Sequence, residues 1–462
     1  MHNQLVNDLK HLSSLLEKTK QASDNYLNEI DQRPPATGYA KKDFLNLPAN
    51  GTGAEQTLNL FIERYGNQMP ASNGARFWGL VTGGTTPASL LGDWLTSVYD
   101  LNLSHAGNSV APDIEMEAIS MLRELFGLPA SFSGTFVTGA TMSNFAGLAI
   151  AREWIGKQYG KSISQDGLHV IPPVKILSAE VHASSFKSLG MLGLGRNSLK
   201  VIPRLPENRE AVDVVQLRKA LEEMNGEPCI VIANAGTVNT VDFDDIQAIA
   251  ALKSEFKFWL HVDAAFGGFA ACSPKFKHLL NGIEQADSIT IDAHKWLNVP
   301  YDAAMIFTQH RDLQIAVFQN SGAYLGAIAE PVDFIHLGPE NSRRMRALPA
   351  WFSLMAYGKD GYRDIVEQNC AMAEKLGEKI SSSQEFRLLA PVRMNVVCFT
   401  LNGDVDAEKV KTFLAKLRDD GRVFMTPTTY LGTPGIRAAF SNWRTEEKDV
   451  EIAWQAMLDC AK

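Results

Sequence analysis

Hydrophobic and polar positions along the chain follow two different periods. Residues 3–30, NQLVNDLKHLSSLLEKTKQASDNYLNEI, place leucine and isoleucine at helical spacing in an otherwise polar segment, and DQRPPATG then breaks the pattern. This predicts an N-terminal helical arm whose single apolar stripe needs a partner, either the body of the same chain or another subunit. Further on, short apolar runs alternate with amphipathic ones. GTFVTG, VKILSA, CIVIANAG, FWLHVDAAFGG, SITIDAH and AAMIFTQ read as strands, with SNFAGLAIAREWIGKQYG and VVQLRKALEEMNG as helices among them. Such alternation predicts an α/β unit, a mainly parallel sheet covered on both faces. From about Gly361 the order becomes helix, two strands, helix, two strands, helix, which predicts a small α+β domain. The expected division is an arm over 1–75, a large domain over 76–360 and a small domain over 361–462, without repeats or low-complexity tracts.

Composition narrows the function classes. The chain has 462 residues, 45% hydrophobic and 21% charged, ordinary values for a globular protein with a large core. A net charge of -8 without a basic block lacks the footprint of a nucleic-acid binder. The five cysteines are scattered without CxxC spacing, which predicts free thiols in a reducing compartment and neither disulfides nor zinc. No signal peptide is read at the N-terminus, and no apolar run approaches the roughly 20 residues that cross a bilayer. A cytoplasmic location without membrane attachment is the expectation.

Ligands of an open parallel sheet bind beyond the carboxyl ends of its strands. After GTFVTG comes ATMSNFAGLAIAR, a turn into a helix whose free backbone donors suit a phosphate, or simply a helix start capped by Ser143 or Asn144. After VKILSA comes EVHASSFKS, where His182 is either a satisfied loop histidine or a flat partner for a flat ligand. After FWLHV comes Asp263, a carboxylate that is expensive to bury without a cationic partner, beside the small Ala264, Ala265, Gly267 and Gly268. The last end carries His294 and Lys295. Taken together these parts suit pyridoxal 5'-phosphate, which needs a lysine for its Schiff base, a carboxylate at its ring nitrogen, a stacking group and a phosphate cradle.

FWLHVDAAFGG followed by DAHKWLNVPYD resembles the group II pyridoxal-phosphate-dependent amino-acid decarboxylases, whose members handle aromatic amino acids, glutamate, histidine and diaminobutyrate. The resemblance extends through FWGLVTGGTTPASLLGDWL, SVAPDIEMEAISMLRELFGLP, TGATMSNFAGLAIAR, AEVHASSFKSLGMLGLG, ANAGTVNTVDFDDI and SRRMRALPAWFSL. It implies a fold type I enzyme: an arm, a mostly parallel seven-stranded large domain and a small C-terminal domain, paired as a homodimer with active sites at the subunit interface. It also implies decarboxylation of an L-amino acid to its amine through an external aldimine and a quinonoid. On this resemblance Lys295 carries the cofactor, Asp263 meets its ring nitrogen, and His182 and Ala265 cover its two faces. Ala140 and Thr141 lie in the phosphate turn with His294 nearby. Thr237 faces the ring hydroxyl side or the departing carboxylate, and Thr82 and His182 meet the substrate. Arg437 matches an arginine of the small domain.

Two departures bear on the outcome. Aromatic-specific relatives carry a loop tyrosine that returns a proton to the substrate, where this chain has Phe334 in GAYLGAIAEPVDFIHLGPENSRR. His336 or Tyr324 is then the substitute, histidine being the residue type that exchanges protons more readily near neutrality. Without a donor, decarboxylation with oxidative deamination to an aldehyde competes. Pro349 stands where aromatic-specific relatives tend to have lysine. A carbon-carbon lyase on the same scaffold is a further alternative, since Asp292 ahead of His294 and Lys295 resembles those relatives. A nucleotide-binding Rossmann protein would want GxGxxG, which TGATMSN lacks. Trp78, Phe77 and Tyr324 either favour an aromatic substrate or are ordinary packing, and Arg76 is the candidate for an acidic one.

Overall fold

The computed structural model describes residues 2–38, 41–103, 109–320 and 332–462. The large domain is built on strands β1 (Ser133–Val137), β2 (Ile176–Ser178), β3 (Leu199–Val201), β4 (Cys229–Asn234), β5 (Phe258–Asp263), β6 (Ser288–Asp292) and β7 (Ala304–Thr308). They form one sheet in the order β1-β7-β6-β5-β4-β2-β3. All neighbours run parallel except β7, which is antiparallel to both β1 and β6. The six runs expected as strands are strands. The seventh, β3, is an edge strand with Lys200 and Val201 exposed, so it carries no apolar run to betray it.

Buried on both faces, β4, β5 and β6 read as continuous apolar strands. The helix Ala140–Gln158 covers one face, and its Ala146, Gly147, Ala149 and Ala151 are small enough for it to lie close to the sheet. The antiparallel β7 has a positional consequence. Ala304 pairs with Val137 at the end of β1 and with Asp292 at the end of β6, so the turns that follow those two strands emerge side by side.

The small domain is an antiparallel sheet of β8 (Phe386–Leu388), β9 (Val396–Leu401), β10 (Thr426–Tyr430) and β11 (Thr433–Ala439), in the order β10-β11-β9-β8. The helices Ala407–Asp420 and Glu447–Ala461 accompany it. The long helix Ala347–Ser381 runs across the expected boundary and is interrupted at Gly358, whose φ of 57° leaves the helical region. At the other end, the expected arm forms helices Asn3–Lys10 and Leu12–Asn28, and no residue of either is buried. Leu5, Leu9, Leu12 and Leu16 of its apolar stripe are exposed, while Ile30 at its end is buried. No helix among the described residues is long and apolar enough to cross a membrane.

A buried ion pair ties the front edge of the sheet to the chain leading into the long helix. Arg343 grips Glu115 with two N–H donors, at 2.6 and 3.0 Å, while Glu115 also accepts from the Thr135 hydroxyl and the Phe136 backbone N–H. Glu115→Ala leaves that guanidinium buried without its counter-charge. The expected loss is roughly 3–5 kcal/mol, read as a lowered denaturant midpoint, with Glu115→Gln losing less because it still accepts hydrogen bonds.

Candidate active site

The lysine turn is anchored from below. Trp296, fully buried, donates its indole N–H to Asn369 at 2.8 Å, and the backbone N–H groups of Ala293 and His294 both reach the Ala303 carbonyl. His294 and Lys295 are thereby held partly exposed on a single helical turn, Ala293–Trp296. Lys295 Nζ has no hydrogen bond among the described residues; its neighbours are Asp292 Oδ2 at 3.6 Å and the Phe266 ring. From above, the Thr82–Gly83 backbone presses onto the same turn. Gly83 N–H donates to the His294 carbonyl at 3.2 Å, and a Cβ on Gly83 would lie 1.6 Å from the Lys295 carbonyl oxygen, so no other residue fits there.

Beside the lysine turn lies the start of the helix Ala140–Gln158, where the Met142 and Ser143 N–H groups turn back to the Gly139 carbonyl. Ala140 N–H points at Asp292 Oδ2 at 3.3 Å. His294 completes this corner, with Nε2 3.2 Å from Asp292 Oδ1 and its ring against Tyr301 at 4.3 Å.

Asp263 ends β5 as a buried carboxylate that accepts the Asn144 side-chain amide at 2.9 Å and the Ala265 N–H at 3.2 Å. Ala265 is the one partly exposed residue in the run from His261 to Ala270, so it faces the site. His182 caps the helix Ala183–Met191, its Nδ1 accepting Ser184 N–H at 3.2 Å, which leaves the ring hydrogen on Nε2. Burial pulls its pKa below the usual histidine value; Asp263 opposes that, while Lys295 and Arg437 reinforce it. One ring therefore senses the lysine, the carboxylate and the small-domain arginine at once.

Other expected residues sit differently. Thr82 is buried, and its hydroxyl has no hydrogen-bond partner among the described residues. Thr237 gives its hydroxyl hydrogen to the buried Glu210 and accepts Asp242 N–H, so it offers a ligand little beyond its backbone. Burial lowers the Arg437 pKa; its NH1 donates to the Val238 carbonyl and its Nε is unbonded. Phe334 packs inside a core cluster with Leu103, Val332, Met345 and Leu348, so it is no exposed lid residue. His336 is buried and its Nδ1 accepts the Asn320 backbone N–H at 3.0 Å; among the described residues nothing joins it to Lys295, Asp263 or His182. Tyr324 and residues 104–108 lie outside the described residues. Trp78 belongs to the small-domain core, and Arg76 is committed to Asp449 at 2.9 Å, so neither lines the cavity beside the lysine turn. Phe77 does line one, a cavity of about 870 Å³ that runs from Thr82, His294 and Tyr301 along Tyr26, Phe61 and Trp94.

Sequence reasoning passed over Asn298 and His261. Asn298, with a φ of 55°, donates to the Lys295, Trp296 and Ser441 carbonyls and accepts Trp443 N–H, so it pins the lysine turn to the small domain. Nothing in its spacing announces this. His261 stands two positions before Asp263 on β5, and that spacing puts both on one face.

The residues present fit pyridoxal phosphate on their own chemistry. An amine without a hydrogen bond, a carboxylate fixed by two donors, a partly exposed alanine, a neutral imidazole and a helix N-terminus lie at one end of the sheet, where Thr82 Oγ1 and Asp292 Oδ1 have no hydrogen-bond partner among the described residues.

Comparison with known proteins agrees. The aromatic-L-amino-acid decarboxylase of Catharanthus roseus is 27% identical over 391 residues, covering 82% of this chain and 78% of that protein. A 4-hydroxyphenylacetaldehyde synthase of Rhodiola rosea is 24% identical over 477 residues, 98% of this chain and 96% of that one. The crystal structure of Oryza sativa TDC with PLP and tryptamine superposes with a TM-score of 0.89 at 21% identity, covering 98% of each chain. The pyridoxal-dependent decarboxylase conserved domain matches residues 67–402, and the chain belongs to this family of pyridoxal-phosphate-dependent amino-acid decarboxylases.

Proposed function

We propose that the protein converts an L-amino acid with a bulky, preferably aromatic, side chain into its amine and carbon dioxide. The observation that carries this reading is that the Lys295 amine, the Asp263 carboxylate held by Asn144 and Ala265, and the start of the helix Ala140–Gln158 lie at neighbouring strand ends of one sheet. Lys295 would hold the cofactor covalently, Asp263 would take its ring nitrogen, and His182 and Ala265 would flank the ring. Ala140, Thr141 and His294 would hold its phosphate. Bound there, the cofactor supplies an electron sink for the pair left behind when carbon dioxide departs.

The chain's own groups then divide the work. Arg437, a partly buried guanidinium whose Nε has no hydrogen-bond partner among the described residues, suits the substrate carboxylate and would orient the bond to be broken. Thr82 adds a hydroxyl to the same pocket. Lys295, once displaced by the substrate amine, would stand as a proton source at Nζ beside Asp292. The aromatic walls of the adjoining cavity and the names of the most similar relatives support the substrate class. With Arg76 committed to Asp449, an acidic substrate has lost its expected partner.

A second reading, decarboxylation with oxidative deamination to an aldehyde, is favoured by the similarity to a 4-hydroxyphenylacetaldehyde synthase across nearly the whole chain. A homodimer is part of the proposal. Leu5, Leu9, Leu12 and Leu16 recur on one face of the arm and Leu91, Trp94 and Val98 on one face of the helix Pro87–Tyr99, all exposed and at spacings that need cover. A cytoplasmic setting is supported by the five free thiols.

Three outcomes are expected. Across the common L-amino acids, the loaded enzyme releases amine in step with carbon dioxide, and most from aromatic ones; aldehyde with peroxide instead would select the second reading. Borohydride reduction followed by peptide mapping places the cofactor mass on the peptide holding Lys295, and Lys295→Ala abolishes it. In sedimentation velocity the native protein runs as a dimer, while Trp94→Glu with Val98→Glu shifts it to monomer.

A further inference from the structure

Asp263 is the end of a chain of hydrogen bonds rather than an isolated carboxylate. Asn144 Nδ2 donates to its Oδ2 at 2.9 Å, and Asn144 Oδ1 accepts from His261 Nε2 at 2.8 Å. His261 Nδ1 lies 2.8 Å from Ser288 Oγ, which also accepts the Trp259 indole N–H at 2.9 Å. Trp259, Ser288, His261 and Asn144 are all fully buried.

Donor and acceptor types give this chain one direction. A carboxylate accepts only, so the Asn144 group that faces Asp263 is its NH2, and its carbonyl oxygen faces His261. His261 therefore carries its hydrogen on Nε2. Burial keeps the imidazole neutral, pulling its pKa down to about 4, so Nδ1 is a lone pair that accepts the Ser288 hydroxyl. Every link from Trp259 through Ser288, His261 and Asn144 donates to the next and terminates on Asp263.

The sequence gives up packing to keep the chain intact. A histidine in the middle of a buried strand is costlier than leucine. Room for it comes from the overlying helix, where a Cβ on Gly147 would lie 2.7 Å from His261 Cε1. A histidine needed only as filler would not call for a glycine above it.

We propose that His261 is a positioning residue for the cofactor's ring nitrogen, acting through Asn144 to hold the Asp263 carboxylate in one orientation. This rests on the reading of Asp263 as the ring-nitrogen partner. Asn144 and Ala265 each occupy one oxygen of Asp263, so the remaining lone pairs are directed to the site. Without His261 the Asn144 amide can turn over and set its carbonyl oxygen against the carboxylate, and a polarised chain of aligned donors is lost.

The test uses cofactor affinity rather than turnover. Cofactor-free protein is titrated with pyridoxal phosphate and with its analogue in which C–H replaces the ring nitrogen. His261→Leu is expected to weaken pyridoxal phosphate roughly tenfold, the size of one lost charge-assisted hydrogen bond, and to leave the analogue unchanged; His261→Gln, which keeps a donor, restores most of the difference. Gly147→Ala, which removes no polar group, gives the same selective loss and serves if His261→Leu does not fold. Equal weakening of both ligands in these variants overturns the proposal by reducing His261 to a packing residue. Asp263→Ala in the same titrations separates the two readings. If it discriminates between the ligands while the His261 and Gly147 variants do not, the relay fails and the Asp263 reading stands; if it does not discriminate, the Asp263 reading fails and takes the relay with it.

Discussion

A negative charge buried at the end of an apolar strand is the constraint from which the rest of this structure is best understood. Asp263 follows Phe258, Trp259, Leu260, His261 and Val262, all buried, and a carboxylate there is stable only with donors around it and a cation to meet it. The surrounding protein supplies the donors, Asn144 and Ala265, and keeps the space beside the carboxylate lined with small residues. The missing cation is what a protonated pyridine ring would bring. That is the physical link between a core strand and the chemistry of the family.

Topology does the rest of the assembly. Because Ala304 pairs with the ends of both β1 and β6, the phosphate-type turn at Ala140 and the lysine turn at Lys295 leave the sheet as neighbours although they are far apart in sequence. Gly83 then admits the Thr82 loop onto the lysine turn, and Asn298 fastens that turn to the carbonyl of Ser441 beyond β11. Large domain, small domain and loop thus share one junction, and Arg437 of the small domain reaches across to donate to the Val238 carbonyl of the large one.

Much of this was legible in the sequence, and the reasons differ by element. Buried parallel strands announce themselves as unbroken apolar runs, so β4, β5 and β6 and the polar residues that end them stood out. The exposed edge strand β3, with only Leu199 partly covered, did not. Lys295 and Asp263 stood out in the sequence because each follows an apolar strand, where a charge without a partner is costly. Trp78 stayed open between pocket and packing, and Arg76 was only a candidate for an acidic substrate, because sequence gives no direction for a side chain that joins two domains; their partners, Phe440 and Asp449, lie in the small domain more than 300 positions away. His336 was chosen by residue type, and its buried place against Asn320 comes from packing that spacing does not encode. His261 could have been found, since two positions along a strand put it on the face of Asp263.

The most direct test of the account is the ¹⁵N resonance of cofactor labelled at the ring nitrogen and bound to the protein, followed across the pH range in which the fold persists. With the ring nitrogen held by the Asp263 carboxylate, the signal stays at the protonated pyridinium position throughout. A neutral pyridine signal, or one that titrates as free cofactor does, would contradict the pairing on which the account rests.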